Sequence, residues 1–176
     1  MRITLLDIPA AALVETETAA DERGLFGRTF CDDEFEKAGL PGSFVQCSTS
    51  FNVRRGTLRG MHFQAKPHEE GRLVRCTRGS IYDVVLDLRL ESPMFRKWQA
   101  FELSADNRSA LYVPPGCAHG FQTLEDGSEV FYQMTERYRG NLATGVRWND
   151  PAFAIRWPVT SPVLSPRDAN YPDSGG

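Results

Sequence analysis

Glycine and proline recur about every ten residues through the middle of this chain, which is the spacing of turns between short strands. A helix of average length needs an uninterrupted run of about 11 residues, and these residues break such runs. The segments between them are rich in β-branched and aromatic side chains, which favour strands. The pattern predicts an all-β sandwich or barrel. The interrupting residues are Gly56, Gly60, Gly71, Gly79, Pro93, Pro114, Pro115, Gly116, Gly127, Gly140 and Gly145.

Six segments show the strand pattern most clearly, and one segment predicts a helix. The helix is expected over residues 32–38, because acidic residues occupy its first turn and Gly39 follows its last residue. The predicted strands cover residues 73–77, 80–89, 98–103, 109–113, 119–124 and 129–135.

The predicted strand 80–89 has two unlike faces. Its even positions from Tyr82 to Leu88 are all apolar, whereas its odd positions include Asp83 and Asp87. Because side chains alternate between faces along a strand, one face should join the core, and the other should meet solvent or line a cavity. An antiparallel barrel of about eight strands is just wide enough to hold one small ligand.

Length and composition indicate one domain with its own core. The chain has 176 residues, is 41% apolar and carries a net charge of −3. A domain of this size buries about 70% of its unfolded surface, so it needs no disulfide or structural zinc, and its four cysteines form no Cys-x-x-Cys pair. We expect a single domain over 1–176, with the barrel over 44–158 and a C-terminal wrap over 159–176 that ends in a loose Ser-Gly-Gly.

The N-terminal segment and the overall charge indicate the compartment and exclude two classes of partner. Asp7 and Pro9 interrupt the segment before a signal-peptide core or a spanning run of about 18 apolar residues can form. We therefore expect a cytoplasmic protein that does not enter membranes. A net charge of −3 argues against nonspecific binding to nucleic acid.

Basic residues nevertheless concentrate between residues 54 and 78, where the only acidic residues are Glu69 and Glu70. Such a concentration can hold a phosphate-bearing ligand. Exposed arginines on strands are equally often only solvated, so the sequence leaves both interpretations open. The basic residues are Arg54, Arg55, Arg59, Lys66, Arg72, Arg75 and Arg78.

Two of the three histidines follow turn-forming residues. His62 ends a Gly-x5-His sequence and His119 ends a Pro-x-Gly-x2-His sequence, which resemble the two half-motifs of the cupin superfamily. A cupin metal site normally has a second histidine where this chain has Gln64. No metal is therefore expected, although a site built from His62, His119 and His68 remains an alternative.

A longer series of motifs runs along the chain in a fixed order. The motifs are Gly56-Thr-Leu-Arg-Gly-Met-His-Phe-Gln64, 71–89, 92–98, 114–121, Tyr132, 147–151, 155–158 and Leu164-Ser-Pro-Arg-Asp168. Over nearly the whole chain this series resembles the dTDP-4-dehydrorhamnose 3,5-epimerase family. The resemblance implies a cupin-type double-stranded β-helix, or jelly-roll barrel, with short helices. It also implies a homodimer in which an N-terminal strand is exchanged.

The resemblance also implies a reaction. The family's substrates are nucleotide-diphosphate 4-keto-6-deoxyhexoses, here most simply dTDP-4-dehydro-6-deoxy-D-glucose, which would give dTDP-4-dehydro-L-rhamnose. Both C3 and C5 lie next to the C4 ketone, so a proton can be removed to form an enolate and returned on the opposite face. This chemistry requires a base, an acid and a group that stabilises the enolate oxygen, with no cofactor.

Four residues match the family's catalytic positions. His62 matches the general base, a role that suits an imidazole with an ordinary pKa of about 6.5. Asp168 matches the carboxylate that pairs with this histidine, and Tyr132 matches the acid on the opposite face of the sugar. Arg72 stands where the family commonly has lysine beside the C4 oxygen, and its larger planar group changes that contact.

Further residues match the family's ligand contacts. Arg59 and His119 match contacts to the ligand, and the guanidinium of Arg59 suits a diphosphate. Tyr138 matches the aromatic residue that stacks on the nucleotide base, and Gln46 falls at another nucleotide contact. Arg167 occupies a position where the family often has lysine.

The dimer implied by the resemblance involves Arg23 and Phe26, which match a segment that crosses to the neighbouring subunit's site. Arg28, where the family often has glutamate, and a shortened loop over 139–144 depart from the pattern. These departures leave the base, the sugar and the number of inverted centres open. The alternatives are a mono-epimerase acting at C3 or C5, a metal-dependent cupin, and a non-catalytic module that binds sugar nucleotides.

Overall fold

The computed structural model describes residues 1–174 and places the predicted strands in two antiparallel sheets that face each other. The described residues form thirteen strands and two helices, in the order β1 (Arg2–Leu5), β2 (Ala12–Glu15), β3 (Thr18–Asp21), β4 (Gly24–Gly27), α1 (Asp32–Lys37), β5 (Gln46–Asn52), β6 (Leu58–Gln64), β7 (Arg72–Arg78), β8 (Ser80–Asp87), β9 (Trp98–Ser104), β10 (Ser109–Val113), β11 (Cys117–Thr123), β12 (Ser128–Met134), β13 (Ala143–Gly145) and α2 (Pro166–Ala169).

The strand order is that of a two-sheet barrel. One sheet runs β1-β2-β10-β7-β12-β5, and the other runs β13-β6-β11-β8-β9. The hairpin β3-β4 forms a separate two-stranded sheet. The all-β prediction is therefore confirmed, and the six predicted strands correspond to β7–β12. The predicted helix is α1, and Gly39 adopts a φ of 76° just after it.

Apolar side chains fill three layers. The inner faces of the two sheets meet around Val74, Ile81, Leu111 and other buried residues. Helix α1 covers the outer face of the six-stranded sheet and buries Phe35 there. The segment around Phe153 covers the outer face of the five-stranded sheet. Both sheets therefore pack against the core on one face and against a covering layer on the other.

Strand β8 is buried on both faces. The sequence left open whether its polar face meets solvent or lies inside the barrel, and the structure decides this. Val84 and Leu86 pack under the segment around Phe153. On the other side, Asp83 and Asp87 are both 0% exposed. The polar face therefore turns into the barrel interior rather than toward solvent.

The N-terminal region divides into two parts. Strand β2 pairs with β1 and with β10, so the first two strands stay in the sheet of their own chain. The β3-β4 hairpin forms no pairing with either main sheet, and Phe26 on it is 79% exposed. The hairpin, rather than the first strand, is the N-terminal segment that lies outside both main sheets.

The segment after Pro158 returns along β6. The amide of Leu58 donates to the carbonyl of Val163 at 2.9 Å, and helix α2 follows. The sequence predicted a loose Ser-Gly-Gly at the end of the chain. In the structure, however, the amide of Ser174 donates a hydrogen bond to Asp150 Oδ2 at 2.5 Å. The rest of that expectation concerns residues 175 and 176, which lie outside the described residues. Within 1–174, neither helix is long and apolar enough to cross a membrane.

Candidate active site

One end of the barrel opens into a cavity of about 680 Å³ between the two sheets. This volume lies within the range of about 300–1,000 Å³ that is typical of small-molecule sites. Both walls carry polar and charged side chains. The residues that line the cavity and were singled out from the sequence are Gln46, Arg59, His62, Arg72, His119, Tyr132, Tyr138 and Arg167.

The register of the strands explains why these side chains converge. Arg72 is paired with Met134, and Met134 with Gln46, so the three lie in one row across β7, β12 and β5. Tyr132 lies two residues from Met134 and therefore faces the same side. On the facing sheet, His62 is paired with His119. Tyr132 and His62 thus reach the cavity from opposite walls.

A β-bulge turns Arg59 and His62 toward the same side. His119 pairs with His62 and Phe121 with Arg59, so β6 has one more residue than β11 between these pairs. Two glycines permit the close approach. A Cβ on Gly60 would lie 2.5 Å from the Cα of Gly120, and Gly60 has a φ of 147°. Without the bulge, residues 59 and 62 would face opposite sides of the strand.

The pair expected between His62 and Asp168 is present. His62 Nε2 lies 2.6 Å from Asp168 Oδ1, although the two residues are 106 positions apart in sequence. Ser165 caps helix α2 by accepting a hydrogen bond at 3.1 Å from the amide of Asp168, which places the carboxylate behind the imidazole. The Asp168 side chain is 6% exposed, whereas that of His62 is 31% exposed.

The electrostatics of Asp168 favour its charged form. Burial opposes ionisation, but hydrogen bonds from His62, Ser165 and the backbone of Gly60 outweigh it, so the pKa of Asp168 lies below its ordinary value. An ionised Asp168 accepts the proton on Nε2 of His62. In the neutral imidazole that donates from Nε2, the other ring nitrogen, Nδ1, carries a lone pair.

Arg72 has a partner that the sequence analysis did not assign to the site. Its Nε donates to Glu70 Oε1 at 2.9 Å, and its Nη2 donates to the same oxygen. Glu70 also lines the cavity and is 7% exposed. Residues 70 and 72 share one face because side chains alternate along an extended segment, and this spacing is the signal that would have found Glu70.

His119 belongs to a second histidine–aspartate pair. Its Nε2 lies 2.8 Å from Asp83 Oδ1, and both residues are buried. Asp83 Oδ2 is buried and has no hydrogen-bond partner among the described residues. The polar face of β8 thus holds one cavity-lining imidazole in a fixed orientation.

The outer part of the cavity contains the residues expected at the nucleotide. Gln46 Oε1 accepts a hydrogen bond at 3.1 Å from the amide of Tyr138, whose side chain is 57% exposed. Arg167 Nη2 donates to a backbone carbonyl at 2.7 Å. Toward the opposite end of β5, Arg59 Nε donates to Asn52 Oδ1 at 2.8 Å, which holds the guanidinium in place. Asn52 was not identified from the sequence.

Gln64 has a structural role at the position of the missing cupin histidine. It is 2% exposed and donates to the carbonyls of His68 and Arg137, while its Oε1 accepts from the amide of Arg139 at 2.7 Å. His68 contacts Glu136 and does not line the cavity. Across residues 1–174, no group of three or more His, Cys, Asp or Glu side chains is arranged to hold a metal ion.

Two predicted binding residues lie elsewhere. Arg23 pairs with Asp21 on the β3-β4 hairpin, and Phe26 is exposed on the same hairpin. Neither lines the cavity of its own chain. Of the basic residues between 54 and 78, Arg59 and Arg72 line the cavity. Arg75, in contrast, reaches the backbone of Thr29.

Polar residues on β5 also line the cavity without having been predicted. Ser48 and Ser50 follow Gln46 at alternate positions and share its face. The alternation of polar residues at 46, 48 and 50 is the signal that would have identified this strand as a cavity wall.

The chain is similar to known proteins over almost its whole length. The family model described as dTDP-4-dehydrorhamnose 3,5-epimerase matches residues 5–174. An Escherichia coli protein of that name is 41% identical over 170 residues, which cover 96% of this chain and 91% of the relative. A Streptomyces niveus protein named dTDP-4-dehydrorhamnose 3-epimerase is 37% identical over 169 residues, covering 96% and 81% of the two chains.

The fold is also similar to that of a solved structure. The crystal structure of dTDP-4-dehydrorhamnose 3,5-epimerase from Bacillus anthracis, with TDP and PPi bound, matches with a TM-score of 0.95 and 41% identity. The match covers 98% of each chain. Sequence and fold therefore agree over almost the entire length, and the chain belongs to the dTDP-4-dehydrorhamnose 3,5-epimerase family of isomerases.

Proposed function

We propose that this protein converts dTDP-4-dehydro-6-deoxy-D-glucose to dTDP-4-dehydro-L-rhamnose by inverting C3 and C5. The observation that carries the proposal is the placement of the His62–Asp168 pair on one wall of the cavity and of Tyr132 on the other. A base and an acid on opposite sides of a bound sugar are what inversion at a carbon requires. Family membership supports the substrate class.

The proposed reaction begins at His62. Its Nδ1 takes a proton from the carbon next to the ketone, while Asp168 on Nε2 stabilises the imidazolium that forms. The electron pair of the broken C–H bond moves into an enolate, and negative charge collects on the C4 oxygen. Tyr132 then donates a proton to the same carbon from the opposite wall, which inverts its configuration. The imidazolium of His62 then loses its proton to solvent, and the phenolate of Tyr132 regains one from solvent. Because C3 and C5 flank the same carbonyl, the restored residues can serve the second centre.

Two arginines have separate tasks in this proposal. Arg72 stabilises the enolate oxygen, because a fixed positive charge lowers the energy of an oxyanion that forms in a poorly hydrated site. Arg59, held by Asn52, binds the diphosphate. Tyr138 and Gln46, which are joined by a hydrogen bond, receive the nucleotide base at the outer end of the cavity.

A homodimer completes this arrangement. The hairpin that bears Arg23 and Phe26 lies apart from both main sheets, which supports its crossing to a second subunit. A two-fold pair would exchange two hairpins, so that each cavity receives these side chains from its partner. The exposure of Phe26, 79%, supports this placement, because a large apolar side chain gains stability when another chain covers it.

Deuterium incorporation tests the proposed function. Incubation of the protein with dTDP-4-dehydro-6-deoxy-D-glucose in D₂O is expected to place deuterium at both C3 and C5, as read by NMR against a reaction without protein. No incorporation at either carbon by folded protein would contradict the proposal. Label at one carbon only would favour a mono-epimerase, the second candidate, which the relative from Streptomyces niveus supports.

A further inference from the structure

The proposed reaction leaves one buried carboxylate in the cavity wall without a role. Glu70 is 7% exposed, and its side chain faces the same cavity as the proposed base and acid. Transferring an ionised carboxylate from water to such a position is unfavourable unless a partner compensates for the loss of hydration. Its hydrogen-bond partner is the guanidinium of Arg72.

The contact between the two groups fixes the plane of the guanidinium. Nε and Nη2 of Arg72 both donate to Oε1 of Glu70. These two nitrogens form one edge of the planar group, and no described residue accepts a hydrogen bond from the third nitrogen, Nη1. With one edge held, the N–H groups of Nη1 remain available to a ligand in the cavity.

The segment that carries the pair is held from its other side. Gly71 lies between Glu70 and Arg72 and faces away from the cavity, where a Cβ would approach the hydroxyl of Tyr112 to 2.5 Å. The amide of Gly71 donates to Thr135 Oγ1 at 2.7 Å. The backbone under the pair is therefore closely packed, so that the two side chains keep their relative position.

Resting on the proposed function, we propose that Glu70 is a positioning residue, which holds Arg72 so that Nη1 meets the C4 oxygen of the bound sugar. A lysine is a compact cation whose three donors rotate freely, but a guanidinium donates only in its own plane. Stabilisation of an oxyanion depends on donors that are oriented before charge develops. An arginine at this position therefore needs a partner to set its plane, and Glu70 provides one.

A double-mutant cycle tests this role by activity. Glu70→Gln is expected to lower kcat for deuterium incorporation by up to about 100-fold, because the charge-assisted hydrogen bonds that orient Arg72 become weaker bonds to a neutral amide. KM should change little, since the negative oxygen develops mainly in the transition state. In an Arg72→Gln background, Glu70→Gln should lower kcat no further and should raise the melting temperature, because it removes a buried charge that has lost its partner.

The controls separate positioning from other roles. Glu69→Gln, a matched neutralisation outside the cavity lining, is expected to leave kcat unchanged. Equal losses of kcat from Glu70→Gln with and without Arg72 would overturn the proposal, because Glu70 would then act independently of the arginine. An unchanged kcat in the single variant would also overturn it.

An NMR measurement tests the pairing without substrate. The Nε–H proton of Arg72 is expected to exchange slowly with water in the wild-type protein and rapidly in Glu70→Gln. Equal exchange in the two proteins would overturn the positioning role whether or not the protein is an epimerase. Slow exchange in a wild-type protein that incorporates no deuterium would instead overturn the proposed function, and with it the role at the C4 oxygen, while the ion pair would stand.

Discussion

One nitrogen of the His62 imidazole is hydrogen-bonded to Asp168 and the other is free. This arrangement predicts the effect of replacing His62. His62→Asn removes the proposed base, so deuterium incorporation should fall by about 10²–10⁴-fold. Affinity for dTDP should be retained, because the proposed nucleotide contacts at Tyr138 and Gln46 lie on other elements. NMR of the sugar protons measures the first effect, and calorimetry measures the second.

His68 offers a matched control for this variant. It contacts Glu136 at 3.3 Å and does not line the cavity, so His68→Asn should leave both incorporation and affinity near the wild-type values. Full incorporation by His62→Asn would remove His62 from the role of base.

The low pKa of Asp168 predicts how its contribution to stability depends on pH. A carboxyl group whose pKa is lower in the folded than in the unfolded protein stabilises the fold above its unfolded pKa of about 3.9. Its contribution disappears as the pH falls through the lower pKa of the folded protein. The difference in unfolding free energy between wild type and Asp168→Asn should therefore be larger at pH 5 than at pH 3.

Urea unfolding at the two pH values measures this difference, and the shared response of the other carboxylates cancels in the comparison. A difference that grows toward pH 3 would contradict the ionised pair. Asp106→Asn, a neutralisation at an exposed turn, serves as the matched control.

The family resemblance placed His62, Asp168 and Arg72 in one site, but the partner of His119 could not be predicted in the same way. The pair between His119 and Asp83 depends on the pairing of β11 with β8, which no local pattern specifies. Hydrogen bonds between side chains on neighbouring strands follow from register, and register is a property of the folded sheets.

At the scale of elements, the bulge between β6 and β11 predicts that Gly120 cannot carry a side chain. A Cβ there would lie 2.6 Å from Met61 Sδ and 3.0 Å from the carbonyl oxygen of Arg59. Gly120→Ala should therefore destabilise the protein by about 1–3 kcal/mol, because the strands must move apart. Since the bulge orients Arg59, affinity for dTDP should also fall. Denaturant unfolding and calorimetry measure the two effects.

Gly140→Ala is the matched control. A Cβ on Gly140 would meet its nearest atom, in Tyr138, at 3.7 Å, which is an ordinary contact. This variant should unfold at the wild-type denaturant concentration. A Gly120→Ala protein as stable as Gly140→Ala would contradict the need for close approach at the bulge.

Strands β7–β12 could be predicted because each is five to eight residues long and bounded by turn residues. The four strands before residue 28 were missed, since each has only four residues. Strands β5, β6 and β13 were not predicted either, although β5 and β6 have seven residues each. Helix α2 was also missed, because its four residues begin with a proline and resemble a turn. Short elements such as these are stabilised by the larger sheets that they contact, rather than by their own sequence.

At the scale of the whole molecule, exchange of the β3-β4 hairpin predicts complementation between two inactive proteins. One protein carries His62→Asn, and the other carries Arg23→Ala with Phe26→Ala. In a mixed dimer, the cavity with an intact His62 receives an intact hairpin from the other chain. After random subunit exchange half of the dimers are mixed, and each has one complete site, so activity should recover to about a quarter of the wild-type value.

Two controls accompany the complementation. Each protein alone should stay near its own low activity, and light scattering should give twice the chain mass for both. If Arg23 and Phe26 act within their own chain, the mixture will show only the average of the two separate activities.

The overall architecture was largely predictable, because turn spacing and β-rich composition act along the entire chain. Which residues face the core and which face the cavity could not be predicted. Asp83 and Val84 are neighbours in sequence, but one faces the barrel interior and the other faces a covering segment. That covering segment, around Phe153, comes from a distant part of the chain, so burial on the second face of β8 depends on how the molecule closes.

The return of the chain after Pro158 has a consequence for synthesis. Asp168 follows every strand of both sheets in the sequence, and only the capped turn of α2 brings it to His62. Proteins are made from the N-terminus, and early parts of a chain can fold while later parts are still being added. The carboxylate partner of His62 is therefore among the last groups to be synthesised, and the pair can form only after residues 164–168 are present.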